Sequence, residues 1–307
     1  MMDSQVSFTS NPNREGNEGD LNVETSLPET VNASFNVDSQ IGVILPTYCE
    51  AENIEALISE IETVNLKLSI MVVDDSSPDG TSDIVRGLQK RYGNILLVVR
   101  PRKTGLGTAI TEGIKTFLYL KDPPEYVIAM DADYSHNPRD IPKLVAVAKK
   151  GYDLVIGSRY FPGGRTVKWS PIRIMISRAA NKFASVMIGA RIRDYTSGLR
   201  CYSLRLLRRV INELHSPTYE IQIETIRQAV KKGCSITEMP ITFSNRKLGK
   251  SKLTLNEIRQ FVSYVAKTKF EDYFGIPKYI YAGKVQPSDE ILIEFFHTRM
   301  RARLSES

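Results

Sequence analysis

The 307-residue chain is poor in several residue types that usually announce a function. It has three cysteines, Cys49, Cys201 and Cys234, odd in number, far apart and without metal-ligand spacing. That excludes a disulfide framework or a zinc ribbon and points to ordinary buried thiols in a reducing compartment. Three histidines, His136, His215 and His297, form no cluster, so no Ser-His-Asp arrangement is suggested. No apolar run approaches the roughly 18 residues of a membrane span, and the expected start of a secretory leader, basic and then apolar, is missing from the first residues. Asn32-Ala33-Ser34 fits a glycosylation acceptor but has no meaning without secretion.

Charge is unevenly spread. Overall the chain carries +6, yet residues 1–40 hold seven acids and one base, so the remainder is near +12. The acidic segment is rich in Ser, Asn, Glu and Thr without a hydrophobic period and is expected to be a disordered tail. From Ile41 short apolar runs alternate with amphipathic stretches. Strands are expected at 41–45, 68–73, 95–99, 126–130 and 153–157, with helices near 52–64, 80–91, 106–120 and 139–150. Strands separated by helices predict an α/β fold with a mostly parallel twisted sheet and flanking helices. Its ligands would then bind beyond the carboxyl ends of the strands. Further on, helices are expected at 170–192, 219–231 and 255–270, and one strand over 235–243. After an irregular connection, an amphipathic helix over 288–304 would dock on the domain or on a membrane or partner surface. The catalytic domain would span 41–270, with 271–307 outside it.

The loops after those strands carry the chemistry. "PTYCE" (Pro46–Glu50) follows the first strand where a dinucleotide-binding fold would place G-x-G-x-x-G, and the absence of those glycines weighs against a dehydrogenase. Tyr48 could stack on a base and Glu50 could accept its hydrogen bonds, or the segment could be a turn entering a helix. In "DDSSPDG", Asp75 is a ligand candidate, whereas turn chemistry suffices for Asp79 and Gly80. "MDADYSHNP" ends the fourth strand in two carboxylates, Asp131 and Asp133, which repel each other unless a positive charge lies nearby. They read either as turn and helix-capping acids or as a metal or ligand site. His136 reads as a hydrogen-bonding loop residue before it reads as a base.

Between Arg159 and Arg209 stand twelve bases and one acid, Asp194. Such an excess asks for an anionic partner. No nucleic-acid motif accompanies it. Acids that hold a divalent metal, followed by arginines that hold phosphates, fit a nucleotide diphosphate better than nucleic acid.

Eight segments in register resemble the motifs of dolichyl-phosphate mannosyltransferases: "PTYCE", "DDSSPDGT", "GLGTA", "MDADYSHNP", "GSRYFPGG", "ISRAAN", "DYTSGLRCY" and "NRKLGKSKL". The resemblance covers about residues 41–270. These are inverting family-two glycosyltransferases with the A-type nucleotide-diphospho-sugar transferase fold. It implies transfer of mannose from GDP-mannose to a polyprenyl phosphate with a divalent metal, Mg or Mn, at the cytoplasmic face of a membrane. Peripheral contact or a small anchoring subunit would hold the enzyme there. Carried over position by position, Pro46, Tyr48, Glu50, Val73, Asp75, Asp131 and Ala132 would surround the nucleotide. Asp133 would bind the metal, with Ser135 beside it. Arg159, Arg173 and Arg178 would face phosphates, and Arg246 and Lys252 would close over donor or acceptor. Asp194 and Glu224 would orient the sugar or the basic residues, or form structural ion pairs. The chain departs from the family at Cys49, usually Asn, and at Ser76, usually Gly. Alternatives are another sugar donor such as UDP-glucose, a non-lipid acceptor, a metal-dependent phosphotransferase, and a non-catalytic sugar-nucleotide-binding subunit.

Overall fold

A computed structural model describes residues 39–245 and 263–268. The acidic tail up to residue 38, Arg246, Lys252 and the terminal helix expected over 288–304 lie outside the described residues.

Residues 41–158 are five strands linked by four helices, and the strands are apolar on both faces, as strands covered by helices on both sides must be. They are β1 (Ile41–Thr47), β2 (Leu68–Asp74), β3 (Ile95–Val99), β4 (Tyr126–Ala129) and β5 (Leu154–Ser158). Between them run α1 (Ala51–Glu62), α2 (Thr81–Arg91), α3 (Leu106–Tyr119) and α4 (Ile141–Ala148). The first four helices and five strands match the sequence expectation to within a few residues. Then come β6 (Arg165–Val167), α5 (Pro171–Ile188), β7 (Arg200–Ser203), α6 (Leu204–Val210), α7 (Ile221–Lys231), β8 (Ile236–Pro240) and β9 (Thr242–Ser244).

Seven strands form one sheet in the order β3-β2-β1-β4-β7-β5-β8, and β6 pairs with β9 apart from it. The sheet is parallel except for β7, which runs antiparallel to both β4 and β5. Two expectations change here. The strand expected over 235–243 is two strands in two sheets, and the helix expected over 170–192 ends at Ile188, where Gly189 takes a left-handed cap (φ 79°). Of the helix expected over 255–270, residues 263–268 are described and helical.

One apolar layer lies between the sheet and α1, α2 and α4, around Leu45, Ile54, Val72 and Leu144. The other lies against α3, α6 and α7, around Ile44, Ile110, Phe117 and Ile226. Gly42 lets the Phe117 ring lie on β1: a Cβ there would sit 2.7 Å from two of its carbons. Strand order reverses at the β1/β4 boundary, the switch point where a crevice opens beyond the strand ends.

Candidate active site

A cleft of about 280 Å³ opens at that switch point. Pro46, Tyr48 and Glu50 reach it from the end of β1, Asp75 from β2, Lys103 and Gly105 from the β3–α3 loop, and Asp131, Ala132 and Asp133 from β4. Thr218 and Tyr219 close it from the loop before α7. Of the residues expected around a nucleotide, all but Val73 line this space. The Val73 side chain is fully buried within β2, so only its main chain could face a ligand.

The two neighbouring aspartates after β2 divide the work. Asp74 organises the turn: it accepts hydrogen bonds from the Thr47 hydroxyl (2.8 Å), the Ser77 amide (2.9 Å) and the Ser82 hydroxyl (2.8 Å). Asp75 lines the cleft and is ion-paired with buried Arg100, which also donates to Thr108 (2.7 Å) and to the Gly105 carbonyl (3.0 Å). The Lys103 ammonium lies 3.7 Å from the centroid of the Tyr48 ring, a cation–π contact that fixes the face of Tyr48. Sequence reasoning missed Arg100 and Lys103, although both sit just before the "GLGTA" segment it singled out.

The opposite wall depends on absent side chains. A Cβ on Gly107 would sit 2.1 Å from the Ser216 carbonyl oxygen, and one on Gly105 would sit 2.4 Å from that of Pro217. The 215–219 loop can therefore press onto the start of α3, where the Gly107 amide donates to Pro217 (2.9 Å). Buried Glu224 holds the loop by accepting the His215 and Ser216 amides (2.9 and 2.8 Å). Glu224 thus shapes the wall that carries Thr218 and Tyr219.

The Asp-Ala-Asp loop is gripped on several sides. Asp133 is buried and its Oδ1 accepts the Ser135 amide at 3.0 Å. The Ser135 carbonyl accepts the Ser244 amide of β9 at 3.0 Å. Asp131 packs on Gly198, where a Cβ would lie 2.9 Å from its Oδ2. His136 Nδ1 is 3.7 Å from Asp131 Oδ2, beyond hydrogen-bond range, and its ring meets Phe243 edge-on at 5.1 Å. Burial pushes the His136 pKa down to about 4, so at neutral pH the imidazole is uncharged and does not neutralise Asp131. The histidine expected to be a hydrogen-bonding loop residue is instead buried against an aromatic ring.

Beside this loop lies a cationic and aromatic cluster. Buried Arg159 forms a two-pronged pair with Asp194, Nε–Oδ2 2.7 Å and Nη2–Oδ1 2.6 Å, and donates to Thr196 (2.5 Å). Burial pushes the Asp194 carboxyl up, but Arg159 outweighs it and holds the acid below the ordinary range. Glu238 fixes Asp194 by accepting the Asp194 and Arg193 amides, each at 2.9 Å. The Arg159 guanidinium also lies 5.4 Å from the Trp169 and Phe243 centroids. Arg173 stacks on Trp169 at 3.9 Å and bonds Asn245 (3.0 Å), and Arg178 stands 5.7 Å from the Tyr160 ring.

The basic run is therefore only partly surplus. Arg200 is fully buried and donates to the carbonyls of Ser197 and Tyr195 (2.9 and 2.8 Å), Arg205 pairs with Asp153, and Arg159 is matched by Asp194. Among the described residues Arg178, on α5, is in no ion pair, and Arg173 on the same helix stacks on Trp169. The thiols also differ from expectation: Cys201 is buried, and burial raises its pKa to about 12, but Cys49 is exposed in the "PTYCE" loop. Cys49 (φ 59°) and Ser76 (φ 51°), the two departures noted above, both occupy the left-handed region, which Asn and Gly tolerate best.

Among the described residues no three His, Cys, Asp or Glu side chains converge as a metal cage. The donors present nonetheless suit a hard divalent cation: a buried carboxylate on Asp133 and a buried Ser135 hydroxyl that has no hydrogen-bond partner. Mg²⁺ and Mn²⁺ sites that use one or two carboxylates and complete their shell with phosphate oxygens and water need no cage.

Comparison with known proteins agrees with this layout. The profile of glycosyl transferase family 2 matches residues 42–214. A polyprenol monophosphomannose synthase of Mycolicibacterium smegmatis is 36% identical over 227 residues, 73% of this chain and 85% of that protein. An undecaprenyl-phosphate mannosyltransferase of Micrococcus luteus is 35% identical over 212 residues, 69% and 86% of the two chains. These names bear out the resemblance seen in the motifs. In fold, the chain is similar to glucosyl-3-phosphoglycerate synthase of Mycobacterium tuberculosis, solved with Mn²⁺, UDP and glucosyl-3-phosphoglycerate (TM-score 0.56, 20% identity, 78% and 82% of the two chains). It is similar also to a mannosyltransferase of Pyrobaculum calidifontis solved with GDP-mannose and Mn²⁺ (TM-score 0.51, 20% identity, 85% and 70%). With its A-type fold and its acidic cleft at the switch point, the chain belongs to glycosyl transferase family 2 and is a glycosyltransferase.

Proposed function

We propose that the protein transfers mannose from GDP-mannose to a polyprenyl phosphate, with inversion at the anomeric carbon and with Mg²⁺ or Mn²⁺ bound. The observation that carries this reading is the cleft itself, walled by Tyr48, Asp75, Asp131 and Asp133, in a chain whose relatives are named for mannosyl transfer to lipid phosphates. In this reading the Tyr48 face, steadied by Lys103, receives the base, while Asp75 and Glu50 accept hydrogen bonds from base or ribose. Asp131 faces the nucleotide, and Asp133 with Ser135 holds the metal. The bound cation supplies positive charge to the departing diphosphate.

The chain's own residues do the rest. An acceptor phosphate monoester, whose second pKa is about 6, is already ionised near neutral pH and needs no strong general base. This suits a cleft whose neighbouring histidine is buried and neutral. Arg173 and Arg178 supply the charge that draws in the acceptor phosphate, and Arg159, fixed by Asp194, forms the rigid floor on which Trp169 and Phe243 stack. Such preorganised cations are effective because they do not reorient as charge develops.

Access to a lipid acceptor is supported by α5. Ile172, Met175 and Val186 are 66, 65 and 60% exposed, and recur on one face with Ile176; Arg178 and Lys182 flank them, and the helix has no acidic residue. An apolar stripe edged with cations suits the surface of an anionic bilayer. No helix among the described residues is long and apolar enough to cross one. We place the active site at the cytoplasmic face, with peripheral contact or an anchoring subunit holding it there.

The test is a donor and acceptor panel. The purified protein is given labelled GDP-mannose, UDP-glucose and UDP-mannose, each with polyprenyl phosphate, with and without Mn²⁺. Lipid-linked mannose from GDP-mannose alone is the expected result. Preference for a UDP-sugar, or product without lipid phosphate, would replace the donor or the acceptor in this account.

A further inference from the structure

We infer that Trp169 is a positioning residue for the acceptor, its indole face holding the Arg173 guanidinium at the start of α5 in the orientation that meets a phosphate. The inference rests on the reading of Arg173 as a residue that draws in the acceptor phosphate.

Ser170 caps α5 by accepting the Arg173 amide (3.3 Å), and the first turn of the helix has no acidic residue. The N-terminal end of a helix carries partial positive charge, so a cation there is disfavoured unless an anion or a π face offsets it. Trp169, the only tryptophan of the chain, supplies that face, with the guanidinium carbon of Arg173 3.9 Å from its ring centroid. Stacking uses the flat face of a guanidinium and directs its N–H donors outward in the plane. One of them, on Nη1, donates to Asn245 Oδ1 (3.0 Å).

The indole is itself set by the turn before it. Lys168 adopts φ 60°, a left-handed conformation that a lysine does not favour. Asn245 secures that turn: its Nδ2 donates to the Lys168 carbonyl (3.0 Å) and its amide to the Val167 carbonyl (3.2 Å). One asparagine therefore holds both the turn that aims Trp169 and the arginine stacked on it. The Phe243 ring stands nearly perpendicular to the indole, with centroids 5.5 Å apart. The indole N–H is buried and has no hydrogen-bond partner among the described residues. Packing and stacking alone fix the ring, so phenylalanine in its place would lose no hydrogen bond within the protein.

The experiment compares wild type with Trp169→Phe, Trp169→Leu, Arg173→Gln and the double variant Trp169→Leu/Arg173→Gln. Calorimetric titration with farnesyl phosphate, against farnesol as the control without phosphate, reads the acceptor site, and titration with GDP reads the rest of the cleft. Loss of the cation–π contact predicts about five- to thirtyfold weaker farnesyl phosphate binding in Trp169→Leu. Trp169→Phe, which keeps an aromatic face, should lose about threefold or less. GDP affinity should stay at the wild-type value in both tryptophan variants. The double variant should bind farnesyl phosphate no more weakly than Arg173→Gln, because the ring acts through the arginine. Fluorescence of the single tryptophan reads the stack directly and should change between wild type and Arg173→Gln. Identical emission from those two proteins would overturn the stack. Farnesyl phosphate affinity unchanged in Trp169→Leu but lowered in Arg173→Gln would overturn the positioning role and leave Arg173 as the phosphate residue. Additive losses in the double variant, or GDP binding weakened as much as farnesyl phosphate binding, would also overturn it. No binding by wild type, or binding by Arg173→Gln as tight as that of wild type, would overturn the reading of Arg173 and the inference with it.

Discussion

Replacing Asp194 with Asn tests whether Arg159 is part of the scaffold. Both side chains are buried, and Asp194 accepts three hydrogen bonds from Arg159: its amide (2.9 Å), Nε (2.7 Å) and Nη2 (2.6 Å). Asparagine keeps the shape but removes the charge, and its amide nitrogen cannot accept. A buried guanidinium would be left uncompensated, a change that costs about 3–5 kcal/mol. For a domain of this size, about 2–4 °C per kcal/mol converts this to a fall in Tm of roughly 6–20 °C. The exposed pair Arg86–Asp83 is the internal control, since Asp83→Asn should cost about 0.5 kcal/mol or less. Urea denaturation of both variants, with calorimetry, gives the comparison. Adding Arg159→Met to Asp194→Asn should recover part of the loss, because removing both charges leaves no orphan. A loss below about 1 kcal/mol for Asp194→Asn would show that Arg159 is solvated and movable, and the rigid floor assigned to it would be wrong.

Three further predictions follow from the same geometry. Gly198→Ala places a methyl group 2.9 Å from Asp131 Oδ2, so the protein should fold while nucleotide affinity drops about tenfold or more, as titration calorimetry with GDP would record; unchanged affinity would remove Asp131 from the nucleotide site. Cys49→Asn should stabilise by about 0.5–1 kcal/mol by relieving a left-handed cysteine, whereas Cys49→Ala should not, and equal denaturation midpoints for the two would refute the strain. His136, with a folded pKa near 4 against 6.5 unfolded, makes the unfolded chain the stronger proton binder between those values; stability should fall by up to about 3 kcal/mol as pH drops from 6.5 to 4, and His136→Phe should flatten that window if the protein folds.

The first half of the fold was legible because its signals are local. Apolar strands of four to seven residues, separated by amphipathic helices, allow little other than a parallel sheet, and the carboxyl ends of those strands identified most of the cleft wall. The second half was obscured by long-range pairing. Strand β7 is four residues, Arg200 to Ser203, and its place between β4 and β5 is fixed by partners some 45 to 75 positions away. An arginine opening that strand reads as a surface charge, yet Arg200 is buried on main-chain carbonyls. The pairing of Arg159 with Asp194, 35 positions apart, likewise turned an apparent phosphate ligand into a matched buried ion pair. Cys49 and Ser76 looked like small changes of side chain; their importance is in the backbone, because both positions need positive φ. Lys103 and Tyr219 were missed because neither belongs to a strand-end acidic motif, and only the folded chain brings them to the cleft lined by Tyr48 and Asp133.

The most direct test of the central reading is mannosyl transfer from labelled GDP-mannose to polyprenyl phosphate by wild type and by Asp133→Ala, with Mn²⁺ varied and folding checked by calorimetry. The account predicts a wild-type rate that requires the metal and a loss of about a hundredfold or more in a variant that still folds. Transfer by Asp133→Ala at the wild-type rate and with the same Mn²⁺ dependence would contradict it.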